Sequence, residues 1–237
     1  MSQELLILTI TAASIAFFHT LLGPDHYLPF IVMARAGKWS PVKTTLITIL
    51  CGIGHIASSV LLGITGIALG IAVTKLEALE SFRGGLAAWA LIAFGLVYFV
   101  WGLRKALQNQ PHKHLHVHGE EGNHIHRHVH TKEHAHVHER EGTANLTPWV
   151  IFTIFVFGPC EPLIPILMYP AAKSNLFGLV LVTGVFGVVT IMTMLGVVLI
   201  SYPGVKLLSI GRLERYTHAL AGATICLCGM AIQFLGL

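Results

Sequence analysis

The sequence predicts an all-α integral membrane protein of six transmembrane helices, arranged as two inverted three-helix repeats whose first and fourth helices are broken. Hydrophobic residues make up 54% of the 237 residues and charged residues only 11%, whereas soluble domains carry about a quarter charged residues. Six apolar segments are long enough to cross roughly 30 Å of hydrocarbon as helices. They lie at 5–33, 44–72, 85–103, 148–171, 175–202 and 215–236.

Glycine–proline pairs predict both breaks. Gly23-Pro24 interrupts the first segment and Gly158-Pro159 interrupts the fourth, because proline removes a helical hydrogen bond and clashes with the preceding turn. Glycines in the later spans of each half follow at similar spacing. A repeat of three spans must be inverted in the membrane, as in many secondary transporters. The predicted units are a first repeat at 1–104, a loop at 105–147 and a second repeat at 148–237.

The basic residues predict the orientation in the membrane. Twelve of the fifteen lysines and arginines lie in or beside the loops after spans one, three and five, so these loops are expected in the cytoplasm and both termini outside the inner membrane. The first apolar stretch has no basic region before it and is expected to be a retained span. Since the charge of +4 is spread over loops, nucleic acid is excluded as a partner and the lipid bilayer is expected.

A few ionisable side chains fall inside the spans, close to the two breaks. Asp25 is the only aspartate in the chain, and Glu161 occupies the equivalent place in the second half. A charged group at this depth costs several kcal/mol and is normally paired, ligated or facing water. Imidazole, carboxylate and thiolate together suit a transition-metal ion. The predicted metal ligands are His19, Asp25, His26, His55, Cys160 and Glu161.

Each ligand also has a structural explanation. An intramembrane histidine commonly forms a hydrogen bond between helices, and Cys160 can be a buried apolar thiol. His19 and His26 lie about 10 Å apart along an unbroken helix, so one ion, bonded at about 2 Å, reaches both only if the helix breaks. The expected substrate is a divalent transition metal (Ni, Co or Zn), with no prosthetic group.

The polar segment between spans three and four is rich in His-x-His pairs and is expected to be a low-complexity loop without regular structure. Two functions are considered for this loop. It could collect divalent metal for the core site, or it could be a solvated polar linker with no metal role. Its eleven histidines are His112, His114, His116, His118, His124, His126, His128, His130, His134, His136 and His138.

Two motifs carry a resemblance to a known family. His19-Thr-Leu-Leu-Gly-Pro-Asp25-His26 and Gly54-His55 with Ser58-Ser59 resemble motifs of the nickel/cobalt transporter superfamily (NiCoT, NicO and UreH-like proteins), within the wider LysE/CcdA-like membrane protein group. The resemblance implies a nickel/cobalt-type transporter whose core ligands are His19, Asp25, His26 and His55. The segment around Cys160-Glu161 is also similar to the broken-helix cysteine motif of CcdA/DsbD electron-transfer proteins.

The leading hypothesis is therefore a divalent metal-ion transporter, with efflux slightly favoured because the histidine-rich loop faces the cytoplasm. The runner-up is a membrane thiol–disulfide electron carrier of the CcdA type, which needs two facing cysteines, although span one has none. A third hypothesis is a non-transporting accessory protein that hands metal to urease or hydrogenase assembly. We expect no enzyme activity, and the partners considered are the metal ion, a second copy of the chain and a metallochaperone.

Overall fold

The computed structural model describes residues 2–108, 112–116, 124–128, 147–173, 175–207 and 211–236. The first half contains α1 (Gln3–Leu22), a 3₁₀ turn (Pro24–His26), α2 (Leu28–Ala36), α3 (Pro41–Ala68) and α4 (Val73–Gln108). The second half contains α5 (Thr147–Phe157), α6 (Leu163–Ala172), α7 (Leu176–Leu207), a second 3₁₀ turn (Gly211–Tyr216) and α8 (Thr217–Leu235).

The chain is a helical, multi-pass membrane protein, as the composition predicts. Within the described residues, five helical stretches are long and apolar enough to cross a bilayer: Gln3–Leu22, Pro41–Ala68, Val73–Gln108, Leu176–Gly204 and Glu214–Leu235. The predicted fourth span is divided into α5 and α6, of 11 and 10 residues. Both predicted helix breaks are confirmed, at the two glycine–proline pairs.

The third span is much longer than the sequence predicted. The expected helix covers 85–103, whereas α4 begins at Val73 and ends at Gln108. Glu80 and Arg83 were expected in a loop outside the membrane, but both belong to α4. Their side chains form an ion pair of 2.6 Å, which lowers the cost of keeping two charges within the helical bundle.

Glycines allow two long helices to pack closely. α4 packs along α8, with Gly95 and Gly102 facing Gly222 and its neighbours. A Cβ atom on Gly222 would lie 2.6 Å from the Cα atom of Phe99 and 2.7 Å from the carbonyl oxygen of Gly95. Small residues drive helix association in lipid by permitting this backbone approach. α1 packs against α7, and α3 against α5, α6 and α7.

Part of the histidine-rich loop forms a hairpin, which the sequence analysis did not expect. β1 (His112–His116) and β2 (His124–His128) pair antiparallel, with His112 opposite His128 and His116 opposite His124. The His-x-His alternation has the period of two that is typical of strands, so this part of the loop has a regular pattern after all. Five predicted loop ligands lie outside the described residues: His118, His130, His134, His136 and His138.

Candidate functional site

The first helix break turns the chain so that two histidine rings meet. α1 ends at Leu22, and Pro24 begins the short 3₁₀ turn that leads into α2. A Cβ atom on Gly23 would lie 2.6 Å from Nδ1 of His26, so only glycine leaves room for this ring to fold back. As a result the ring centroids of His19 and His26 are 4.9 Å apart, about half of their separation along an unbroken helix.

A third imidazole reaches the same place from α3. The ring centroids of His26 and His55 are 5.2 Å apart, and one ring nitrogen from each of His19, His26 and His55 lies within 4.8 Å of the other two. His26 and His55 are each 2% exposed. We refer to these three residues as the histidine triad.

Backbone carbonyl oxygens indicate which ring nitrogen carries the proton in His26 and His55. Nδ1 of His26 lies 3.1 Å from the carbonyl oxygen of Gly23, and Nδ1 of His55 lies 3.4 Å from that of Phe155. A carbonyl oxygen can only accept, so each Nδ1 is the donor and each Nε2 keeps a lone pair. The Nε2 atoms of all three rings are buried and have no hydrogen-bond partner among the described residues. Three buried imidazole Nε2 atoms without partners are the strongest chemical feature of the site.

The two carboxylates predicted as ligands line one cavity together with two of the triad histidines, His19 and His26. Oδ1 of Asp25 lies 3.2 Å from Nδ1 of His26, where it orients the ring rather than joining the three nitrogens. A cavity of about 580 Å³ is lined by His19, Asp25, His26 and Glu161. Glu161 is exposed in this cavity. Residues of both helix breaks therefore line one cavity.

Cys160 faces away from the cavity. Its side chain is 0% exposed, and it is not among the residues that line the cavity. The neighbouring Leu163 and Ile56 belong to the same buried apolar cluster as Cys160. Four of the six predicted ligands, His19, Asp25, His26 and Glu161, thus line one cavity. His55 joins them through its ring contact with His26, whereas Cys160 is buried and does not line the cavity. Ligation by the six residues stays a prediction.

Polar residues outside the predicted ligand set surround the backbone at Cys160. Its N–H group donates to Oγ of Ser59 and to Oε2 of Glu80, at 3.2 Å each. Arg83 donates to Oε1 of Glu80 at 2.6 Å and to the carbonyl oxygen of Val156 at 2.9 Å. Glu80 is 0% exposed. The sequence signal for the ion pair is the spacing of Glu80 and Arg83, because residues three apart on a helix are neighbours.

Comparison with known proteins gives one family. The family model described as cytochrome C biogenesis protein transmembrane region matches residues 29–231. No curated protein and no solved structure matches the chain. The matched region contains His55, Cys160 and Glu161, while His19, Asp25 and His26 precede it.

This match corrects two expectations. The assignment to the nickel/cobalt transporter superfamily is wrong. It rested on two short motifs, which are less specific than a family match over most of the chain. The leading hypothesis of a nickel/cobalt-type transporter is wrong with it. The runner-up, a thiol–disulfide electron carrier, agrees better with the family.

Proposed function

Because the chain belongs to the family of cytochrome c biogenesis protein transmembrane regions, we propose that it is a membrane thiol–disulfide carrier whose reactive thiol is Cys160. The observation that carries this proposal is the position of the thiol in the break between α5 and α6. The other cysteines lie within continuous helices, Cys51 in α3 and Cys226 and Cys228 in α8. All four cysteines are free thiols.

The geometry favours exchange with a partner protein over a disulfide between Cys160 and Cys51. The amide of Cys160 contacts Ser59, and Cys51 is eight residues away from Ser59 on α3, which corresponds to about 12 Å. A disulfide requires Cα atoms closer than about 7 Å. We therefore propose that the Cys160 thiolate attacks a partner's disulfide, forming a mixed disulfide and releasing one partner thiolate. An incoming thiolate then attacks the partner's sulfur in the mixed disulfide, forms a new disulfide with it and releases Cys160 as the thiolate, which takes up a proton.

Trapping the mixed disulfide tests this function. Cells that carry the chain are quenched with acid, free thiols are alkylated, and membranes are separated on non-reducing gels. We expect a reducible adduct of higher mass that disappears in Cys160→Ser and persists in the control variant Cys226→Ser. Adducts of equal abundance in wild type and Cys160→Ser would refute the assignment of the reactive thiol.

Metal binding without transport is a second candidate function, favoured by the histidine triad. Three imidazole nitrogens on a tetrahedral ion lie about 3.3 Å apart, given bonds of 2.0–2.1 Å, so nitrogens within 4.8 Å of one another need only small side-chain rotations. Asp25 would orient His26 as a second-shell carboxylate. Glu161 or water from the cavity would complete the coordination. Cys160, in contrast, is too enclosed to join the set.

Cobalt(II) provides a direct probe of the triad. The chain without 112–138 is purified in detergent, so that loop histidines do not contribute, and titrated while the visible absorption of tetrahedral cobalt is recorded. We expect one ion per chain in wild type and none in His55→Ala. An unchanged spectrum in His55→Ala would reject the triad as the site.

The helix contacts also support a topology for this carrier. We propose two inverted three-helix repeats in the inner membrane, with both termini outside and the histidine-rich loop in the cytoplasm. A two-fold axis between the repeats would relate α1 to α5 and α6, α3 to α7, and α4 to α8. It would therefore exchange the α1–α7 contact with the contact of α3 with α5 and α6, and it would map the α4–α8 contact onto itself. All of these contacts occur. The distribution of lysines and arginines gives the orientation. The proposed partners are a protein with a disulfide, a metal-delivering protein and a second copy of the chain, which would pack against the apolar exterior.

A further inference from the structure

The break between α5 and α6 opens one particular helical hydrogen bond. In an unbroken helix the N–H group of each residue bonds to the carbonyl oxygen four residues earlier, which would join Cys160 to Val156. Pro159 and Pro162 prevent the helix from continuing through this segment. Deep in a membrane, an unsatisfied backbone group costs several kcal/mol. Both freed groups therefore need other partners.

An ion pair from α4 is inserted into this opened hydrogen bond. The guanidinium of Arg83 donates to the carbonyl oxygen of Val156, and the carboxylate of Glu80 accepts from the N–H group of Cys160. The two side chains are joined to each other at 2.6 Å. Ser59 donates to the same carboxylate oxygen and accepts from the same N–H group, at 3.2 Å each. We call Ser59, Glu80 and Arg83 the clasp.

We propose that the clasp positions Cys160, by holding the helix break open and keeping the thiol buried until a partner engages. This inference rests on the proposed thiol function. Buried charges in a membrane are expensive and are normally retained for a functional reason. Here each charge ends on a backbone group that flanks the thiol, so any loosening of the clasp frees the segment that carries Cys160. The clasp residues act through the backbone of Cys160 and are positioning residues.

The alkylation rate of Cys160 measures this restraint directly. Membrane vesicles containing the full chain are treated with N-ethylmaleimide, and the modification of each cysteine is followed by mass spectrometry. We expect about a tenfold faster reaction of Cys160 in Arg83→Met and a smaller increase in Ser59→Ala, because hydrogen bonds to charged groups are stronger than those between neutral groups. Arg83→Lys should restore a rate close to that of wild type, since it keeps the charge opposite Glu80.

Two controls separate positioning from general loosening of the fold. Cys228 is also buried, at 4% exposure, and its rate should stay constant in all three variants. Lys75→Met, at an exposed position of α4, should leave Cys160 unchanged. Equal acceleration of Cys160 and Cys228, or no acceleration of Cys160 in folded variants, would overturn the proposal.

The design keeps the two proposals distinguishable. If Arg83→Met fails to accumulate in the membrane, the faster alkylation expected in Ser59→Ala decides the outcome. Alkylation needs no redox partner, so a faster rate supports the clasp even where no mixed disulfide forms. Mixed disulfides in wild type together with unchanged alkylation in the variants would reject the clasp and leave the thiol function standing.

Discussion

Replacing Asp25 by asparagine should weaken metal binding at the histidine triad without removing a ligand. Oδ1 of Asp25 lies 3.2 Å from Nδ1 of His26, and that nitrogen also contacts the carbonyl oxygen of Gly23 at 3.1 Å. Asparagine retains an oxygen but loses the negative charge, so the ring stays oriented while the basicity of its Nε2 falls. Second-shell changes of this kind reduce metal affinity by about 10–100-fold. Because the Gly23 contact remains, we expect about tenfold, or about 1.4 kcal/mol.

Competition with a chromophoric chelator measures this difference. The chain without 112–138 is equilibrated with zinc(II) and the chelator at constant pH and 0.15 M salt. Removing a ligand in His55→Ala should weaken binding far more than Asp25→Asn does. Glu77→Gln, which removes a negative charge from α4 outside the site, is the matched control and should bind as wild type. An affinity of Asp25→Asn equal to wild type, with Glu77→Gln also unchanged, would show that Asp25 does not support the triad.

Three further predictions concern packing, topology and the loop. Gly222→Val should destabilise the fold by about 1–3 kcal/mol, because its side chain meets the backbone of α4, whereas Gly184→Ala, with no atom within 4 Å of the added Cβ, should unfold in detergent like wild type. Lys38→Cys and Lys173→Cys should be labelled by an impermeant maleimide from opposite sides of the membrane; labelling from one side would contradict the topology. Deleting 112–138 should lower the total metal bound per chain, measured by equilibrium dialysis, and leave the triad's affinity unchanged; a parallel loss of affinity would show that the two sites are coupled.

The helix breaks and the approach of His19 to His26 could be predicted from sequence because their causes are local. Gly23-Pro24 cannot continue a helix, and the break is what allows His19 and His26 to approach each other. Predicting His55 as a site residue required a further inference, namely that a histidine inside a membrane normally needs a polar partner. Its true neighbours, His26 and the carbonyl oxygen of Phe155, come from elements that sequence spacing alone does not bring together.

The clasp was missed because the charges of Glu80 and Arg83 were taken to mark a loop. A lone charge argues against a buried helix, but two opposite charges three residues apart partly cancel each other. The predicted break at Gly158-Pro159 also implied freed backbone groups in need of partners. The sequence also did not distinguish Cys160 from Glu161. These adjacent residues follow the break but their side chains point in opposite directions, Cys160 into the core and Glu161 into the cavity.

The two breaks differ in how completely their polar groups are satisfied, and this difference separates the two proposed chemistries. At the first break, three imidazole Nε2 atoms have no hydrogen-bond partner among the described residues. At the second, the clasp binds the freed carbonyl of Val156 and the N–H group of Cys160. The first break precedes the residues matched by the family, and the second lies within them. Metal binding should therefore be removable without loss of thiol exchange, because its ligands contribute nothing to the hydrogen bonds that hold Cys160.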